Sequence, residues 1–547
     1  MENKVMNVSD VERLDHHGIV ASVIDDLGLV ELIDNMLPSH DQEKVSVGQC
    51  VKAMIITGLG FTDVPMTLTP DFFKATGVTR FFGENFEAAD FNRFKFGRAL
   101  DKVFQLGCEN VFALAATDVC RKEGIDTTVG HLDTTTLSVT GEYLPDNAET
   151  EVKFTYGYSK DHRADLRQIT LELMVSRDGG IPFWSYLWDG NASDNAVFQS
   201  RCEEIQKGLH EGISPDIIIA DSKLYSLNNS DNLSKISFLT RIPETIKACK
   251  ELIQEAFDDA KSGQNWQMLD SEKMYKEFKQ VHYNIQQRWL VVRSQASIHK
   301  AEESVKKALE KETTEVEKKV FHMEAQEFDN LEQAKKELDR LNKKLRYTQL
   351  LIHEQAEVKK YNKRGRPAPD DIPEDIKIKV KIKSQALEEK ITAAIQQKSC
   401  YVLGTNSCPD KFPPKNIINT YTEQYKVEKS FRFLKGSEFF TSAFFIKKPS
   451  RVMALTCIMS LSLLLYAVAE RKLRAKLKEL DESVPDMLGK QTQTPTLRWV
   501  FKLLSAISLV SIDINGEIKK VLHGIDELKM KIIGFFGERA LKIYSET

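Results

Sequence analysis

The feature that most constrains this chain is a succession of short β-strand patterns that begins at residue 129. Three runs rich in β-branched and aromatic residues come first, at 129–139, 166–175 and 181–188. A D-G-G turn separates the last two, which predicts an antiparallel hairpin. A helix is predicted next, then a buried strand at 217–220 and a last strand at 236–240. The order β-β-β-α-β-β predicts a mixed sheet with a crossover helix, and the fold class is therefore α/β.

The 547 residues are more than a single hydrophobic core usually holds, so several regions are expected. Their predicted boundaries follow changes in pattern. Residues 1–125 and 441–547 are predicted to be helical. Residues 126–241 are predicted to form the first part of the α/β core, and residues 401–440 to complete it with a helix from about 422 to 434. Between these two parts, residues 242–400 are predicted to be an insertion with long charged helices.

The charge of the chain is close to neutral, because 76 Lys and Arg residues oppose 80 Asp and Glu residues and leave −4. That total argues against a uniformly basic nucleic-acid-binding protein. The distribution is uneven, since residues 1–125 carry 12 basic and 19 acidic residues, a net −7, whereas residues 335–366 carry 11 and 4, a net +7. Any surface that binds a polyanion is therefore expected to be local.

The positive segment ends in the sequence K-R-G-R-P, which contributes Lys363, Arg364 and Arg366. Two interpretations stay open: the arginines enter a narrow minor groove of DNA, or the run is an exposed loop. The charged stretch at 301–360 has a heptad-like pattern and predicts a solvated helical hairpin or coiled coil.

One apolar run, at residues 452–469, is long enough to be a candidate membrane span. We interpret it as a core helix, because threonine and serine dilute it and both flanks are basic. The first residues are charged where a secretory signal needs an apolar run, and the eight cysteines form no C-x-x-C pair. We expect a protein of the reducing cytoplasm with no membrane partner.

Three acidic residues stand out by their positions. Asp133 lies within the first strand pattern, where an unpaired charge is costly. Asp221 ends the apolar run at 217–220, and open α/β sheets place their sites at such strand ends. On the predicted helix, Tyr421, Glu428 and Lys435 are spaced seven residues apart and share one face, since seven steps of about 100° return close to the start.

Asp133, Asp221 and Glu428 would offer only oxygen ligands, which suits Mg²⁺ or Mn²⁺. Two such ions about 3.5–4 Å apart could serve an in-line displacement at a phosphodiester. Arg432 and Lys435 would then reach a DNA phosphate. Alternatives stay open at this point: a strand-end aspartate often caps a turn, and a helical glutamate is often simply solvated.

Three sequence blocks resemble a known family. The block HLDTTTLS contains Asp133, the block IIADSKLYS contains Asp221, and the helix carries a Y-x6-E-x6-K pattern. A further block, GYSKDHRADLRQ at 157–168, is similar to G-x-S-K-D-H-R-P-D-L-K-Q. Collinear over nearly the whole chain, these blocks resemble the DDE transposases of the insertion-sequence-four superfamily, and within it the group named sixteen thirty-four. The wider pattern has Arg where this chain has Gln424.

The resemblance implies a ribonuclease H-like mixed sheet, interrupted by a large insertion and flanked by helical N-terminal and C-terminal regions. It implies Asp133, Asp221 and Glu428 as the catalytic acids and ligands of two Mg²⁺ or Mn²⁺ ions. It also implies cut-and-paste chemistry: cleavage at terminal inverted repeats, which residues 1–125 help to bind, and transfer of 3′-hydroxyl ends into target DNA. A homodimer or larger synaptic complex on DNA is implied too, in prokaryotic cytoplasm at the nucleoid.

Other residues near these blocks have two interpretations. Lys160, His162 and Arg163 either face the DNA or belong to a salt-bridged loop. Trp289 is a candidate to stack on a base, although sheet packing is the alternative. Two other functions stay open: a ribonuclease H-fold nuclease that does not join strands, and an inactive DNA-binding descendant.

Overall fold

The computed structural model describes residues 6–38, 43–61, 65–140, 152–207, 213–226, 230–258, 263, 265–362, 368, 370, 372–436, 446, 448–514 and 516–546. The chain divides into two compact units. The first comprises Met1–Thr240 and Ile418–Thr547, and the second comprises Arg241–Ile417.

The first unit begins with a strand and continues with helices. The strand β1 is Met6–Arg13. The α-helices that follow are His17–Asp26, Leu29–Met36, Val47–Leu59, Thr69–Lys74, Val78–Phe82, Arg93–Leu106 and Cys108–Lys122. The interpretation of residues 1–125 as helical is therefore wrong for β1, because this polar strand depends on a partner far along the chain and not on its own apolar pattern.

A mixed sheet follows in the first unit. Its strands are β2 (Val129–Val139), β3 (Arg167–Ser176), β4 (Pro182–Trp188), β5 (Ile217–Ala220) and β6 (Phe238–Arg241), with helices Asp194–Lys207 and Ser230–Leu233 between β4 and β6. The spatial order is β4-β3-β2-β5-β6. The strand β3 is antiparallel to its neighbours, whereas β5 is parallel to β2 and β6. The predicted α/β class and the β-β-β-α-β-β order are confirmed.

The described residues of the second unit form a second set of strands and four helices. They are, in chain order, the helix Lys247–Phe257, β7 (Gln267–Met268), β8 (Lys273–His282), β9 (Ile285–Ser294), the helices Gln295–Ala325 and Leu331–Asn342, β10 (Thr348–Lys360), β11 (Asp375–Ala386), the helix Glu388–Ser399 and β12 (Cys400–Thr405). The strands β12, β9, β8 and β7 are hydrogen-bonded in that order, and β10 pairs with β11 as a separate ribbon.

Two expectations for this part of the chain need correction. The stretch 348–360 is strand β10 and not helix, because its apolar residues Leu350 and Ile352 pack on Val316, Leu338 and other residues of the neighbouring helices. The strand β12 lies within Arg241–Ile417 and pairs with β9 along its whole length. Trp289 is fully buried in β9, so it cannot stack on a base.

The chain then returns to the first unit. Its remaining elements are the helices Pro414–Thr422, Tyr425–Leu434 and Pro449–Glu479, β13 (Val484–Pro485), β14 (Gln491–Thr492), the helix Leu497–Leu503, β15 (Ser508–Ile514), β16 (Glu517–His523) and the helices Glu527–Gly534 and Glu538–Ile543. The region 441–547 is thus not wholly helical. Its strand β15 lies between β1 and β16, and the three form an antiparallel sheet.

The apolar run at 452–469 lies in Pro449–Glu479, the one helix of the described residues that is long and apolar enough to cross a membrane. Its apolar window is entirely buried within the protein. The helix packs against Val47–Leu59, Arg93–Leu106, Cys108–Lys122 and β4. It is a core helix that joins the N-terminal helices to the sheet.

Candidate active site

The register of two parallel strands brings the two predicted aspartates together. Residue His131 of β2 pairs with Ile219 of β5. Asp133 lies two residues after His131 in β2, and Asp221 lies two residues after Ile219, just past the end of β5. The same register therefore sets these two carboxylates side by side. Asp221 accepts a hydrogen bond from the backbone N–H of Lys223 at 2.9 Å, and so it also caps a short turn.

The electrostatics of the two aspartates indicate uncompensated negative charge. Burial raises the pKa of Asp133 to about 6, and the carboxylates of Asp221 and Asp194 add to the rise while Lys160 opposes it. Burial also raises the pKa of Asp221, with Asp194 contributing in the same direction. A cation held between the two carboxylates would relieve both effects. The oxygen-only donor set fits a hard divalent ion.

A third carboxylate that sequence reasoning missed lies in the same place. Asp194 begins the helix Asp194–Lys207, and its side chain is only 10% exposed. It accepts hydrogen bonds from the hydroxyl of Thr134 and the ammonium group of Lys223. Burial alone would raise the pKa of Asp194, but these two hydrogen bonds hold it below its ordinary value. The sequence patterns of the strands draw attention only to acidic residues within or just after a strand, and Asp194 is not one of these. The one sequence signal that could have found Asp194 is its position at the start of a helix.

Lys160 extends from the G-Y-S-K-D-H-R block into this cluster. Its Nζ donates to the carbonyl oxygen of Thr134 at 2.6 Å and to the Thr134 hydroxyl at 2.8 Å. The same Nζ lies 3.5 Å from Asp194 Oδ1 and 3.8 Å from Asp133 Oδ1. Three carboxylates therefore share two ammonium groups, those of Lys160 and Lys223, which leaves the cluster with a net charge of about −1 at neutral pH.

The helix that carries Glu428 is anchored over β2 by Gln424. The Gln424 side chain accepts a hydrogen bond from His131 Nδ1 at 3.0 Å and donates to the carbonyl oxygen of Leu132 at 3.2 Å. Burial lowers the pKa of His131 to about 4, so the ring is neutral and can donate from Nδ1. The residue that departs from the family pattern thus connects the Tyr425–Leu434 helix to the strand of Asp133.

Glu428 is exposed one helical turn beyond Gln424, so it follows the same face about 6 Å further along the helix axis. Across the described residues, no three Asp, Glu, His or Cys side chains converge closely enough to hold a metal ion as they stand. The structure therefore brings Asp133 and Asp221 together, and Glu428 as the third ligand stays a prediction.

The predicted single helix from about 422 to 434 is wrong at its start. Tyr421 is half-buried in the preceding helix Pro414–Thr422, and a turn at Glu423 separates it from the helix of Glu428. Salt bridges to Glu423 from Arg177 at 3.2 Å and Lys426 at 3.0 Å hold this turn against the β3–β4 connection. Tyr421 and Glu428 therefore do not share one continuous helical stripe.

The remaining predicted DNA contacts are dispersed. Lys435 ends the Glu428 helix and donates to both carboxylate oxygens of Asp161, at 2.7 and 2.8 Å. Arg163 is exposed and pairs with Asp165, as the salt-bridged-loop interpretation expects. His162 and Arg432 are exposed too. Lys363, Arg364 and Arg366 lie outside the described residues.

The sheet, the paired aspartates and the neighbouring helix agree with the comparison to known families. Residues 125–465, more than half of the chain, match the family model described as a transposase DDE domain. The chain belongs to the DDE transposase family. This transposase also matches, over residues 9–117, a family described as a domain of unknown function.

Other comparisons with the transposase are distant. No curated protein matches it. Among solved structures it is similar to a piggyBac transposase synaptic complex with hairpin DNA, determined by cryo-EM. The identity is 9% and the TM-score 0.36, over 91% of this chain and 83% of that chain. The family itself implies a nuclease and transesterase that works with divalent metal ions.

Proposed function

We propose that this transposase moves an insertion sequence by a cut-and-paste route. It cleaves DNA at the element's terminal inverted repeats and joins the freed 3′-hydroxyl ends to target DNA. We assign it to the insertion-sequence-four superfamily, near the group named sixteen thirty-four, on the strength of the blocks at 131–138, 157–168 and 218–226. Asp133, Asp221 and Glu428 are the proposed catalytic residues.

The observation that carries this proposal is the parallel register that sets Asp133 beside Asp221. The raised pKa values of Asp133 and Asp221 indicate that their negative charges are not fully compensated, and a bound cation would compensate them. Glu428 is exposed on a helix that Gln424 fixes to the strand of Asp133, and we propose that its carboxylate completes the ligand set.

The proposed chemistry is an in-line displacement at phosphorus in each of two steps. Mg²⁺ or Mn²⁺, two ions in our proposal, supplies an activated nucleophile and stabilises the leaving oxygen when bound. In cleavage a water oxygen attacks the phosphorus, the bond to the 3′ oxygen breaks, and that oxygen leaves as a hydroxyl. In joining, this hydroxyl attacks a target phosphodiester and the target's own 3′ oxygen leaves. One ester bond forms for each that breaks, so joining needs no external energy source.

We further propose that the catalytic sheet is ribonuclease H-like. Numbered within the sheet, its five strands lie in the order 3-2-1-4-5, and only the second strand runs opposite to the others. That arrangement supports the assignment made from the sequence blocks. It also puts the first and fourth strands, which lead to Asp133 and Asp221, next to each other at the centre.

The proposed partner is DNA, both element ends and target, bound by a homodimer or larger synaptic complex in prokaryotic cytoplasm at the nucleoid. Residues 1–125 are the proposed element-end binding region. The proposed DNA contacts are Tyr421, Arg432, Lys435, Lys160, His162, Arg163, Lys363, Arg364 and Arg366.

The test is a combined cleavage and joining assay. Purified protein is incubated with Mg²⁺, a target plasmid and a labelled duplex copied from the inverted repeats that flank the gene. The wild-type protein should cleave the duplex and produce plasmid-joined label. Asp133→Asn, Asp221→Asn and Glu428→Gln should lose both products, while the exposed control Glu479→Gln keeps both.

The other outcomes separate the alternatives. Cleavage without joined label would identify a nuclease that does not transfer strands. Binding of the duplex with neither product would identify an inactive DNA-binding descendant. Joining by Glu428→Gln at the wild-type rate would remove Glu428 from the ligand set.

A further inference from the structure

The helix Tyr425–Leu434, which carries Glu428, starts beside the beginning of β2. Glu423, just before this helix, forms a salt bridge with Arg177 at 3.2 Å. The backbone N–H of Arg177 in turn donates to the carbonyl oxygen of Val129, the first residue of β2, at 3.3 Å. The start of the helix is therefore tied to the start of the strand.

The other end of the same helix lies beside the later part of β2. Lys435, which follows the last helical residue, forms a salt bridge with Asp161 at 2.7 Å. The backbone N–H of the neighbouring residue Lys160 donates to the hydroxyl of Thr136 in β2 at 3.0 Å. Since the helix passes from the region of Val129 to that of Thr136, it runs alongside β2 in the direction of the strand.

The spacing of residues along the helix and along the strand matches. The helix rises about 6 Å from Gln424 to Glu428. The strand rises about 6–7 Å from His131 to Asp133, and these two side chains point to the same face. Gln424 contacts His131 at 3.0 Å. Glu428 therefore comes level with Asp133 along the strand axis, and the Gln424–His131 contact sets that level.

The two hydrogen bonds of Gln424 fix its amide in one orientation. The carbonyl oxygen of Leu132 accepts only from the amide nitrogen of Gln424, at 3.2 Å, so the amide oxygen faces His131. The Nδ1 atom of His131 must then carry the proton that it donates. Leu132 also supplies the peptide group that precedes Asp133. One side chain on the Glu428 helix thus constrains the backbone on which Asp133 stands.

This contact is polar where an apolar contact would hold the helix equally well. The side chain of Gln424 makes no capping hydrogen bond, although the residue occupies the N-cap position of its helix. His131 is 0% exposed, and burial of polar groups costs free energy that their hydrogen bonds only offset. Apolar side chains can slide past each other, whereas a satisfied pair of hydrogen bonds specifies one arrangement. The contact therefore favours accurate placement over added stability.

We propose that Gln424 and His131 are positioning residues, which together set the Glu428 carboxylate at the level of Asp133 so that the two can hold the same divalent cation. Gln424 stands where the family pattern has Arg, and in this chain it points inward to the strand. The inference rests on the proposed function, because it concerns the metal ligands named there.

The test measures metal binding directly. Isothermal titration calorimetry of the full-length protein with Mn²⁺, without DNA, gives the dissociation constant in the absence of any reaction. Gln424→Met removes both hydrogen bonds and should weaken Mn²⁺ binding by about tenfold or more, as the loss of a residue that orients a metal ligand usually does. The control Gln105→Met, at an exposed glutamine of the helix Arg93–Leu106, should bind like wild type.

Two further measurements separate positioning from other roles. Gln424→Met should unfold at a Tm close to that of wild type, because Lys426 still donates to the carbonyl oxygen of Arg177 at 2.7 Å and Val427 stays buried. In the cleavage assay it should raise the Mg²⁺ concentration needed for the half-maximal rate and leave KM for the DNA duplex unchanged. A raised KM with unchanged metal binding would make residue 424 a DNA contact and overturn the proposal.

The His131→Leu variant tests whether the two residues act together. The double variant of His131→Leu and Gln424→Met should bind Mn²⁺ no more weakly than the weaker single variant, whereas multiplied losses would show independent roles and overturn the proposal. Weaker binding in Glu428→Gln with wild-type binding in Gln424→Met would overturn this inference alone. Wild-type Mn²⁺ binding by Glu428→Gln would remove Glu428 as a ligand and overturn both this inference and the proposed ligand set.

Discussion

Arg201 and Glu172 form an ion pair from which water is fully excluded: both side chains are 0% exposed, and Arg201 Nε donates to Glu172 Oε1 at 2.6 Å. The guanidinium also lies 4.1 Å from the ring centre of Trp184. Trp188 Nε1 donates to the second Glu172 oxygen at 2.7 Å. Because Arg201 belongs to the helix that begins at Asp194, this pair fixes that helix to β3.

Removal of Arg201 should destabilise the first unit strongly. In Arg201→Met, Glu172 would stay buried without its cation, and the free energy of unfolding should fall by about 3–5 kcal/mol. Urea denaturation followed by circular dichroism measures the change. The control Arg163→Met breaks an exposed pair, which solvent screens, and should leave the denaturation midpoint close to that of wild type. Similar costs for the two variants would contradict the assignment of Arg201 as an anchor.

Asp194→Asn should impair catalysis without unfolding the protein. Lys160 and Lys223 would lose the carboxylate that orients them beside Asp133 and Asp221, and cleavage should slow by about 10- to 100-fold. The rate of cleavage of labelled element ends measures the effect, with thermal unfolding as the check on folding. Asp231→Asn, an exposed carboxylate on the helix Ser230–Leu233, serves as the matched control. An unchanged rate would mean that the lysines need no such support.

Acid should destabilise the N-terminal region through buried histidines. Burial lowers the pKa of His16 from 6.5 to about 4, and that of its stacked neighbour His17 well below its ordinary value. Between these pKa values the unfolded chain binds more protons than the folded chain, so stability falls as the pH drops from about 6.5 towards 4. The Tm should therefore be lower at pH 5 than at pH 7.5.

The histidine variants isolate this effect from that of other groups. His16→Gln keeps a donor for the Leu59 carbonyl oxygen but does not titrate, so its Tm difference between the two pH values should be smaller. His299→Gln changes a histidine that is 77% exposed and should leave the difference as it is in wild type. A wild-type difference in His16→Gln would refute the prediction.

The positive segment of the second unit should contribute to DNA binding by charge. Lys335, Lys336, Lys343 and Lys344 are exposed on or just after the helix Leu331–Asn342. Their reversal to Glu should lower duplex affinity and flatten its salt dependence by about 0.9 in log–log slope for each phosphate that is no longer neutralised. Fluorescence anisotropy at several salt concentrations measures the slope. Reversal of exposed Lys306 and Lys307, which lie outside the segment, is the control.

The central sheet can be predicted because its signals are local. Alternation along β2, β3 and β4 and the apolar run of β5 are visible in short windows of sequence, and these windows lead directly to Asp133 and Asp221. Asp194 cannot be found this way. Its role comes from contacts with Thr134 and Lys223, which lie far from it in the chain and meet it only when the sheet is assembled.

The wrong predictions concern segments whose structure depends on distant partners. The strand β10 is rich in charge, and its pattern predicts a helix, yet its pairing with β11 and its contacts with the neighbouring helices decide its conformation. The helix break at Glu423 depends on Arg177, which lies in the β3–β4 connection. No window around either segment contains that information.

The pairing of β1 with β15 has a consequence for the newly made chain. Ser9 donates to the carbonyl oxygen of Ser511 across 502 positions of sequence. At a synthesis rate of about 5–20 residues per second, β1 leaves the ribosome roughly half a minute to two minutes before its partner strand exists. The three-stranded sheet can therefore close only after translation has passed residue 514, and a shortened product that lacks β15 would keep an unpaired β1 edge open to association with other chains.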